Sequence, residues 1–524
     1  MSPASAAEPP PPSPLDHDVG RWVDTHAEAR PRALAWADDH RRCDYATAAE
    51  RIGRLSGWLS RQGVGSGDRI AVWLGNRGAT LEALFAAARL GAITLPVNAR
   101  LTPDEVAFQL DDCRPSVLLV EDDWRARADE AIGKAERCTP VVLRVGGAED
   151  AYEAALAASE PEPARETPSP EDAVILMYTS GTTGKPKGAL LPLRKTLYNC
   201  LNAERYFEIV ASDRVLVVAP LFHSLGLQIL ALPAVFAGAG LVIQEGFDPA
   251  RVWRAIADEG VTYYGGVPTM HERLLERLAS GDPIAAPPGS LRFAFTAGAA
   301  APSELIRAYH ERGLAMMQGY GQTETSILTC LDPASTLTKA GSVGQPVLHG
   351  EIRLVDPRTL DDPPEAWRDV DIGEVGEIVV AGPITMLGYW ERPEANAETL
   401  RGRWLRTGDL ATRDADFDVT LVGRAREMYI SGGENVYPAE VEATLLEHPD
   451  VGEAAVVAVE DETWGEVGIA YVAAAPGGSV EGDAVLGWLA DRLARYKQPR
   501  AIHVVEALPR TASGKVQKHR LTAP

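Results

Sequence analysis

Residues 178–188 read Tyr178-Thr-Ser-Gly-Thr-Thr-Gly-Lys-Pro-Lys-Gly188, and the apolar run Ala173–Met177 stands directly before them. A short apolar run that ends at a glycine-rich turn reads as a buried strand. The loop after it is built to hold an anion. Gly181 and Gly184 carry no Cβ, so backbone N–H groups can turn toward a phosphate. Thr179, Ser180, Thr182 and Thr183 add hydroxyl donors, and Lys185 and Lys187 add charge. The spacing is not that of a Walker A loop, because threonine stands at 179 and proline follows Lys185. A strand that opens into a polyphosphate cradle points to an α/β protein.

Outward from that loop, strand and helix patterns alternate. Arg69–Leu74 and Ala92–Val97 are apolar runs on either side of the helical stretch Leu81–Leu90, a β-α-β unit. Val117–Val120 and Val141–Val145 read as further short buried strands. Residues 159–171 carry glutamates and prolines and read as an exposed connector. The pattern then restarts, with strands at Arg214–Ala219, Gly240–Gln244, Val261–Tyr264 and Leu291–Thr296 and a helix over Leu225–Phe236. Asp248 and Pro249 read as an N-cap and first helical residue, with Val252 and Ile256 on one buried face. Two α/β halves, each with its own sheet, are the expected result. From Gly344 to Val422 short strands dominate (Glu351–Val355, Glu377–Val380, Thr420–Val422), which predicts a β subdomain. After Arg424 a small α+β unit of ~100 residues follows, with a helix near Val441 and Leu445, strands at Glu453–Val459 and Ile469–Ala474, and a helix at Val485–Leu493. The expected boundaries are a disordered tail at 1–14, an N-terminal domain at 15–424 and a C-terminal domain at 425–524. The N-terminal domain divides into pieces at about 15–165, 171–343 and 344–424.

The 524 residues are too many for one compact core. A net charge of −23 argues against nucleic acid as a partner, since phosphate backbones attract basic surfaces. The five cysteines stand apart, with no C-x-x-C pair, and suggest neither a zinc site nor a disulfide framework. No apolar run reaches membrane-spanning length. The Ala/Pro/Ser-rich start lacks the basic and apolar regions of a signal peptide, so a cytoplasmic location is expected.

Further motifs follow in order. Pro220-Leu-Phe-His-Ser-Leu-Gly-Leu227 puts His223 at a strand end, where it can gate a pocket. Thr296-Ala-Gly-Ala-Ala-Ala-Pro302 and Gln318-Gly-Tyr-Gly-Gln-Thr-Glu-Thr325 combine small residues with one aromatic ring. Gly319 and Gly321 let a flat purine approach the backbone, and Tyr320 offers a face for stacking. Thr323 supplies a hydroxyl and Glu324 a hard anionic oxygen suited to Mg²⁺. Thr407-Gly-Asp409 and Gly423-Arg424 supply a carboxylate and a guanidinium, which can bind a ribose diol. Ser431-Gly-Gly-Glu434 is a tight turn, and Pro509-Arg-Thr-Ala-Ser-Gly-Lys515 ends in a flexible tip that can deliver one ammonium.

In this order the motifs resemble those of the adenylate-forming superfamily: acyl-CoA synthetases, aryl-CoA ligases, luciferases and peptide-synthetase adenylation domains. The resemblance runs from the phosphate loop to Lys515 and so covers most of the chain. It implies a large N-terminal domain of two α/β sheet subdomains plus a β subdomain, and a small, mobile α+β C-terminal domain that swings about a hinge at Arg426. It also implies roles. Gly298, Ala299 and Ala300 form an adenine-pocket segment with Tyr320 packed on the base. Thr323 contacts the α-phosphate, Glu324 ligates magnesium, and Asp409 and Arg424 bind the ribose. His223 sits beside the carboxylate being activated. Ser431, Gly432, Gly433 and Glu434 approach the thiol of CoA, and Lys515 is the catalytic lysine. Relatives often have Met where Gln322 stands, and Lys or Asp at the hinge.

The implied chemistry follows from these parts. A carboxylate is a poor acyl donor because its leaving group is oxide. Attack on the α-phosphate of ATP converts that oxide into AMP, and charge developing on phosphorus needs cations and dipoles placed in advance. Lys515, Mg²⁺ on Glu324, and Thr323 would supply them, with little acid–base chemistry. An acyl-adenylate then meets the CoA thiol. The acyl pocket is expected from His223, Tyr264, Gly265, Gly266, Val267, Ala297 and Gln322, with the two glycines leaving room for a chain or ring and Tyr264 capping it. Medium-chain fatty acids and aryl or cinnamoyl-type acids both fit, and dicarboxylic acids are disfavoured. The partners are therefore a small carboxylic acid, ATP and CoA, with a homodimer allowed. The alternative is an adenylating enzyme with another nucleophile: a carrier-protein thiol, an amine, or nitrite as in ligase-like diazotases. A nucleotide-binding protein without catalysis is a third reading, which the presence of Lys515, Glu324 and Thr323 opposes.

Overall fold

The structure is a computed structural model that describes residues 18–179, 186–280, 289–298, 301–332, 335–339, 341–431, 434–461, 464–490, 492–510 and 516–521. The expected N-terminal tail lies outside them. The chain is mixed α/β and forms two compact units, one of residues up to Glu351 together with Ala381–Arg403, the other of Ile352–Val380 and Trp404 onward. The β segment expected at 344–424 is thus divided, and its strands group with C-terminal residues.

The first unit is built on two sheets. The seven-stranded sheet runs in the order Gly388–Tyr389, Lys187–Pro192, Ala173–Thr179, Ile93–Pro96, Arg69–Trp73, Val117–Glu121, Val141–Val145. Its five last-named strands are mutually parallel, and its first two run antiparallel to their neighbours. The nine-stranded sheet has the order Gln345–Pro346, Ser326–Cys330, Ala315–Gln322, Phe293–Thr296, Tyr263–Gly266, Arg214–Val217, Gly240–Ile243, Leu34–Ala37, Arg42–Asp44.

The connector at 159–171 does not separate the sheets, contrary to the expected division. Ala173–Thr179 is buried and apolar, so it needs a partner on each edge. It pairs back onto Ile93–Pro96 (Ile175 opposite Thr94) and forward onto Lys187–Pro192. In exchange, Leu34–Ala37 joins the second sheet beside Gly240–Ile243 (Trp36 opposite Leu241).

The helices form where the sequence places their signals. The Asp248 carboxylate accepts from the Arg251 N–H at 2.8 Å, Pro249 opens the helix Pro249–Glu259, and Val252 and Ile256 are buried. Gly78–Leu90 is buried on nearly every face, which explains why it reads as apolar all round. The stretch expected as one helix at 225–236 divides into a π-helical turn, Leu225–Ala231, and an α-helical turn, Leu232–Phe236. The change comes at Pro233, which has no N–H to donate.

His271 lies in the core under the nine-stranded sheet, with Nε2 donating to the Phe295 carbonyl at 3.1 Å and Nδ1 3.2 Å from the Tyr309 hydroxyl. Burial pushes its pKa down to about 4 from an ordinary 6.5. Above the ordinary value both folded and unfolded chains hold it neutral. As pH falls from 6.5 toward 4, the unfolded chain takes up a proton that the folded chain refuses, so stability drops across that window. The loss is expected to reach about 3 kcal/mol near the lower end. Denaturant titrations at a series of pH values should show a smaller acid loss in His271→Gln than in the parent; identical pH slopes would contradict it.

The second unit has two sheets as well. Glu351–Val355, Gly376–Ala381, Trp404–Arg413 and Val419–Arg424 are four of the five strands of one. The other orders Glu434–Val436, Tyr429–Ser431, Gly465–Ala474 and Val451–Asp461, with Ala501–Val504 parallel to Gly465–Ala474. Val441 and Leu445 of the helix Pro438–Leu446 and Val485 and Leu489 of the helix Gly482–Leu489 fill its core.

Candidate active site

Strand register fixes the chain on both sides of the phosphate loop. Thr179 stands opposite Lys187, the last and first residues of their strands. On the far edge of Lys187–Pro192, Tyr389 stands opposite Ala189, and the Lys187 ammonium lies 5.4 Å from the Tyr389 ring centre.

Glu324 arrives from the other sheet. Ala315–Gln322 and Ser326–Cys330 form a hairpin, with Gln322 opposite Ser326 and Glu324 at its tip. The tip is closed by the Thr325 N–H donating to the Gln322 carbonyl (3.2 Å) and the Gln322 N–H donating to Thr325 Oγ1 (3.1 Å). A Cβ on Gly321 would stand 1.9 Å from the Ser326 carbonyl oxygen, so glycine is required there. Ser326 itself has φ +63°, a left-handed conformation that few residues other than glycine adopt.

The Glu324 carboxylate accepts from the Tyr389 hydroxyl at 2.8 Å on Oε1, and Thr179 Oγ1 lies 3.4 Å from the same oxygen and 3.4 Å from the Lys187 carbonyl. The main chain ties the same parts together. The Met386 N–H donates to the Glu324 carbonyl (2.8 Å), Leu387 to Leu190 (2.9 Å) and Trp390 to Gly188 (2.8 Å). Segment 386–390 therefore fastens the hairpin tip of one sheet to the edge of the other. Among the described residues both contacts fall on Oε1. A carboxylate oxygen beside a threonine hydroxyl at a phosphate loop is a donor set that suits Mg²⁺.

Beneath the tip lies Lys195, fully buried on the helix Leu193–Phe207. Its ammonium donates to Ser326 Oγ (2.6 Å) and Gln228 Oε1 (2.9 Å). Burial pushes its pKa down to about 7, and the Glu324 carboxylate is the main attraction opposing that. Neither Lys195 nor Tyr389 stands in a stretch that suggested function. A lysine within an amphipathic helix looks like a surface residue, and Tyr389 has only a neighbouring glycine and tryptophan to mark it.

The remaining expected residues fall as follows. Tyr320, Gln322 and Thr323 are half-buried along the hairpin, and Gly319 packs so closely that a Cβ would meet the Phe295 ring at 2.9 Å. Gly298 adopts φ +87° after the strand Phe293–Thr296. His223 is half-buried at the start of the π-helical turn, its ring 4.7 Å from that of Phe222, with its carbonyl accepting from the Leu227 N–H (3.0 Å). Ser180, Gly181, Thr182, Thr183, Gly184, Lys185, Ala299, Ala300, Gly432, Gly433 and Lys515 lie outside the described residues.

Part of the expected acyl pocket is core instead. Tyr264 is buried, with its hydroxyl 3.0 Å from that of Tyr309, so it does not cap an open cavity. The space beside Gly265 is taken by Leu230, 3.0 Å from where a Cβ would be, and that beside Gly266 by His271 at 3.3 Å. These glycines admit neighbouring side chains rather than leaving a void. Val267 stands 3.6 Å from a Cβ position on Gly298, and the Ala297 N–H donates to the Gly266 carbonyl at 3.3 Å.

In the second unit Asp409 and Arg424 face each other in register, with Arg424 Nε 2.7 Å from Asp409 Oδ1. Asp409 is nearly buried and the Thr407 hydroxyl accepts its N–H at 3.1 Å. Arg426 lies exposed in the turn after that strand. Ser431 is buried opposite Glu434.

Residues 23–390 match the AMP-binding enzyme family, and residues 440–515 match the AMP-binding enzyme C-terminal domain. The chain belongs to the AMP-binding enzyme family. This family member is 40% identical to feruloyl-CoA synthase of an Amycolatopsis species, over 95% of this chain and 97% of that protein. It is 39% identical to indoleacetate–CoA ligase of Aromatoleum aromaticum, over 96% and 97% of the two chains. The o-succinylbenzoate CoA synthetase of Bacillus subtilis, solved with its acyl-adenylate intermediate, superposes with a TM-score of 0.86 at 31% identity, covering 96% of this chain and 98% of that one. The same synthetase has been solved with ATP and a magnesium ion. As an AMP-binding enzyme of the adenylate-forming superfamily, the chain is an acid–thiol ligase that uses ATP, magnesium and coenzyme A. No helix among the described residues is long and apolar enough to cross a membrane.

Proposed function

We propose that this ligase couples an aromatic carboxylic acid, of the aryl or arylpropenoic type, to coenzyme A through an acyl-adenylate. The observation that carries the reading is the Glu324 carboxylate, presented on a strained hairpin tip beside Thr179 at the mouth of the phosphate loop. The similarity to feruloyl-CoA synthase and indoleacetate–CoA ligase supports an aromatic acid. The cytoplasm, where ATP and CoA are both supplied, is the compartment this activity implies.

Each residue then has a task. Thr179 and Lys187 bracket the loop that holds the β- and γ-phosphates. Glu324 would hold Mg²⁺, with the Tyr389 hydroxyl fixing the carboxylate through Oε1. Magnesium, when bound, neutralises charge on the phosphates and so eases departure of pyrophosphate. The Thr323 hydroxyl and the Lys515 ammonium stabilise charge on the α-phosphate while the acid oxygen attacks. Asp409 and Arg424 take the ribose hydroxyls. His223, at the start of the π-helical turn, faces the acid. In the second half-reaction the small domain turns about Arg426 and brings the turn 431–434 to the adenylate, and the thiolate displaces AMP.

A panel of acids assayed for pyrophosphate release, with and without CoA, tests this. Arylpropenoic and other aryl acids should release pyrophosphate and, with CoA present, give the thioester. Acid-dependent pyrophosphate release with no thioester from any member would overturn the assignment of CoA as acceptor.

A further inference from the structure

Lys195 has no place in the chemistry above, yet it is a fully buried lysine. Among the described residues it has no carboxylate within ion-pair distance, and its two hydrogen-bond acceptors are neutral. Burying a lysine amine is unfavourable unless its hydrogen bonds are made, and these two reach where a methionine could make none.

Its neighbours indicate what that is. Lys195 and Asn199 lie one turn apart on the same face of the helix Leu193–Phe207. Both reach the same two elements. Lys195 donates to the Gln228 side chain and to Ser326 Oγ. Asn199 donates to the Gln228 carbonyl at 2.5 Å and accepts from the Ile327 N–H at 3.4 Å. Gln228 belongs to the π-helical turn that follows His223, and Ser326 and Ile327 open the second strand of the Glu324 hairpin. Ser326 is also the residue held at φ +63°, two positions after Glu324. Strained residues of this kind persist only where their surroundings hold them.

We propose that Lys195 is a positioning residue for Glu324: by gripping Ser326 and Gln228 together it keeps the hairpin tip in the conformation that presents the carboxylate to magnesium, and it ties that tip to the turn behind His223. The inference rests on the reading of Glu324 as the metal ligand. It assigns Lys195 no contact with substrate. A lysine that merely filled space would affect the fold as a whole; a lysine that sets the tip affects metal-dependent binding more than metal-free binding of the nucleotide.

The test measures binding as well as rate. Calorimetric titrations of Lys195→Met with ATP plus magnesium, and separately with AMP in the absence of metal, should show a loss of about tenfold or more in the first and a clearly smaller loss in the second, where Thr323 is the tip residue assigned to the ligand. The magnesium concentration for half-maximal pyrophosphate release should rise in step. A second site, Ser326→Ala, removes the acceptor and leaves the lysine, so it should shift the magnesium curve in the same direction; it decides the matter if Lys195→Met does not fold. In Lys195→Met/Ser326→Gly the glycine adopts the left-handed conformation unaided, and part of the magnesium affinity should return. Unchanged metal-dependent binding in both Lys195→Met and Ser326→Ala, or parallel loss of AMP and magnesium-ATP binding, would overturn the proposal. Glu324→Gln serves as the reference: if its magnesium curve is also unchanged, the ligand assignment fails first and takes this inference with it.

Discussion

Lys515→Ala should form acyl-adenylate ~10²–10³-fold more slowly and still convert supplied acyl-adenylate and CoA to thioester at close to the parental rate. The reason is the division of labour between the half-reactions. In the first, negative charge gathers on the α-phosphate, and a point charge delivered there lowers the barrier directly. In the second, the bond that breaks already has AMP as a good leaving group, and the lysine is not needed to expel it. Lys515 lies outside the described residues, but the chain on both sides of it is anchored. Arg510 and Val516 are bridged across the loop, the Gln517 N–H donates to the Pro509 carbonyl at 2.7 Å, and Arg510 reaches Glu453 at 2.7 Å. Lys518, three residues further, is held between Glu427 (2.5 Å) and Glu442 (2.7 Å). The loop therefore springs from a fixed base, so alanine at its tip removes charge without disturbing the support. Acid-dependent exchange of labelled pyrophosphate into ATP reports the first step, and thioester formation from synthetic adenylate reports the second. Equal losses in both would contradict the role.

Glu324→Gln should lower the overall rate by ~10²-fold or more and raise the half-saturating magnesium concentration at least tenfold. Glutamine preserves shape and leaves an oxygen to accept from the Tyr389 hydroxyl, which now bonds Oε1 at 2.8 Å. The hairpin tip should stay where it is, since its backbone is fixed by the Met386 N–H and by the Gln322–Thr325 bonds. What disappears is the negative charge that draws a hard cation. A neutral amide oxygen binds Mg²⁺ far more weakly, so excess magnesium should recover part of the rate. Metal titrations of pyrophosphate release would show this, and a variant whose magnesium curve overlays the parent's would rule out Glu324 as the ligand.

How far the sequence foretold this structure depends on whether the signal was local. Capping at Asp248, the strand before the phosphate loop and the buried face of Val441 and Leu445 rest on contacts within a few residues, and they formed as expected. The partners of Ala173–Thr179 depend on pairing across most of the unit, and the exposed connector before it marked only a change in composition. The site divides the same way. Glu324, Thr179 and Lys187 can be proposed from sequence because their residue types suit a phosphate and a metal. Tyr389 and Lys195 act on Glu324 from elsewhere in the chain, and neither residue has a neighbour in sequence that shares its task. Tyr264, Gly265 and Gly266 misled because small and aromatic residues serve a packed core as readily as a cavity; Leu230 and His271 occupy the space the glycines leave.

The exchanged strands bear on how this protein could be divided or recombined. A fragment that stopped at the connector would lack Ala173–Thr179, against which Ile93–Pro96 is paired, and a fragment that began there would lack Leu34–Ala37, the neighbour of Gly240–Ile243. Each half would expose the backbone edge that the other half supplies. The two sheets are interlocked by the chain itself, so a cut at that connector opens an edge in both of them.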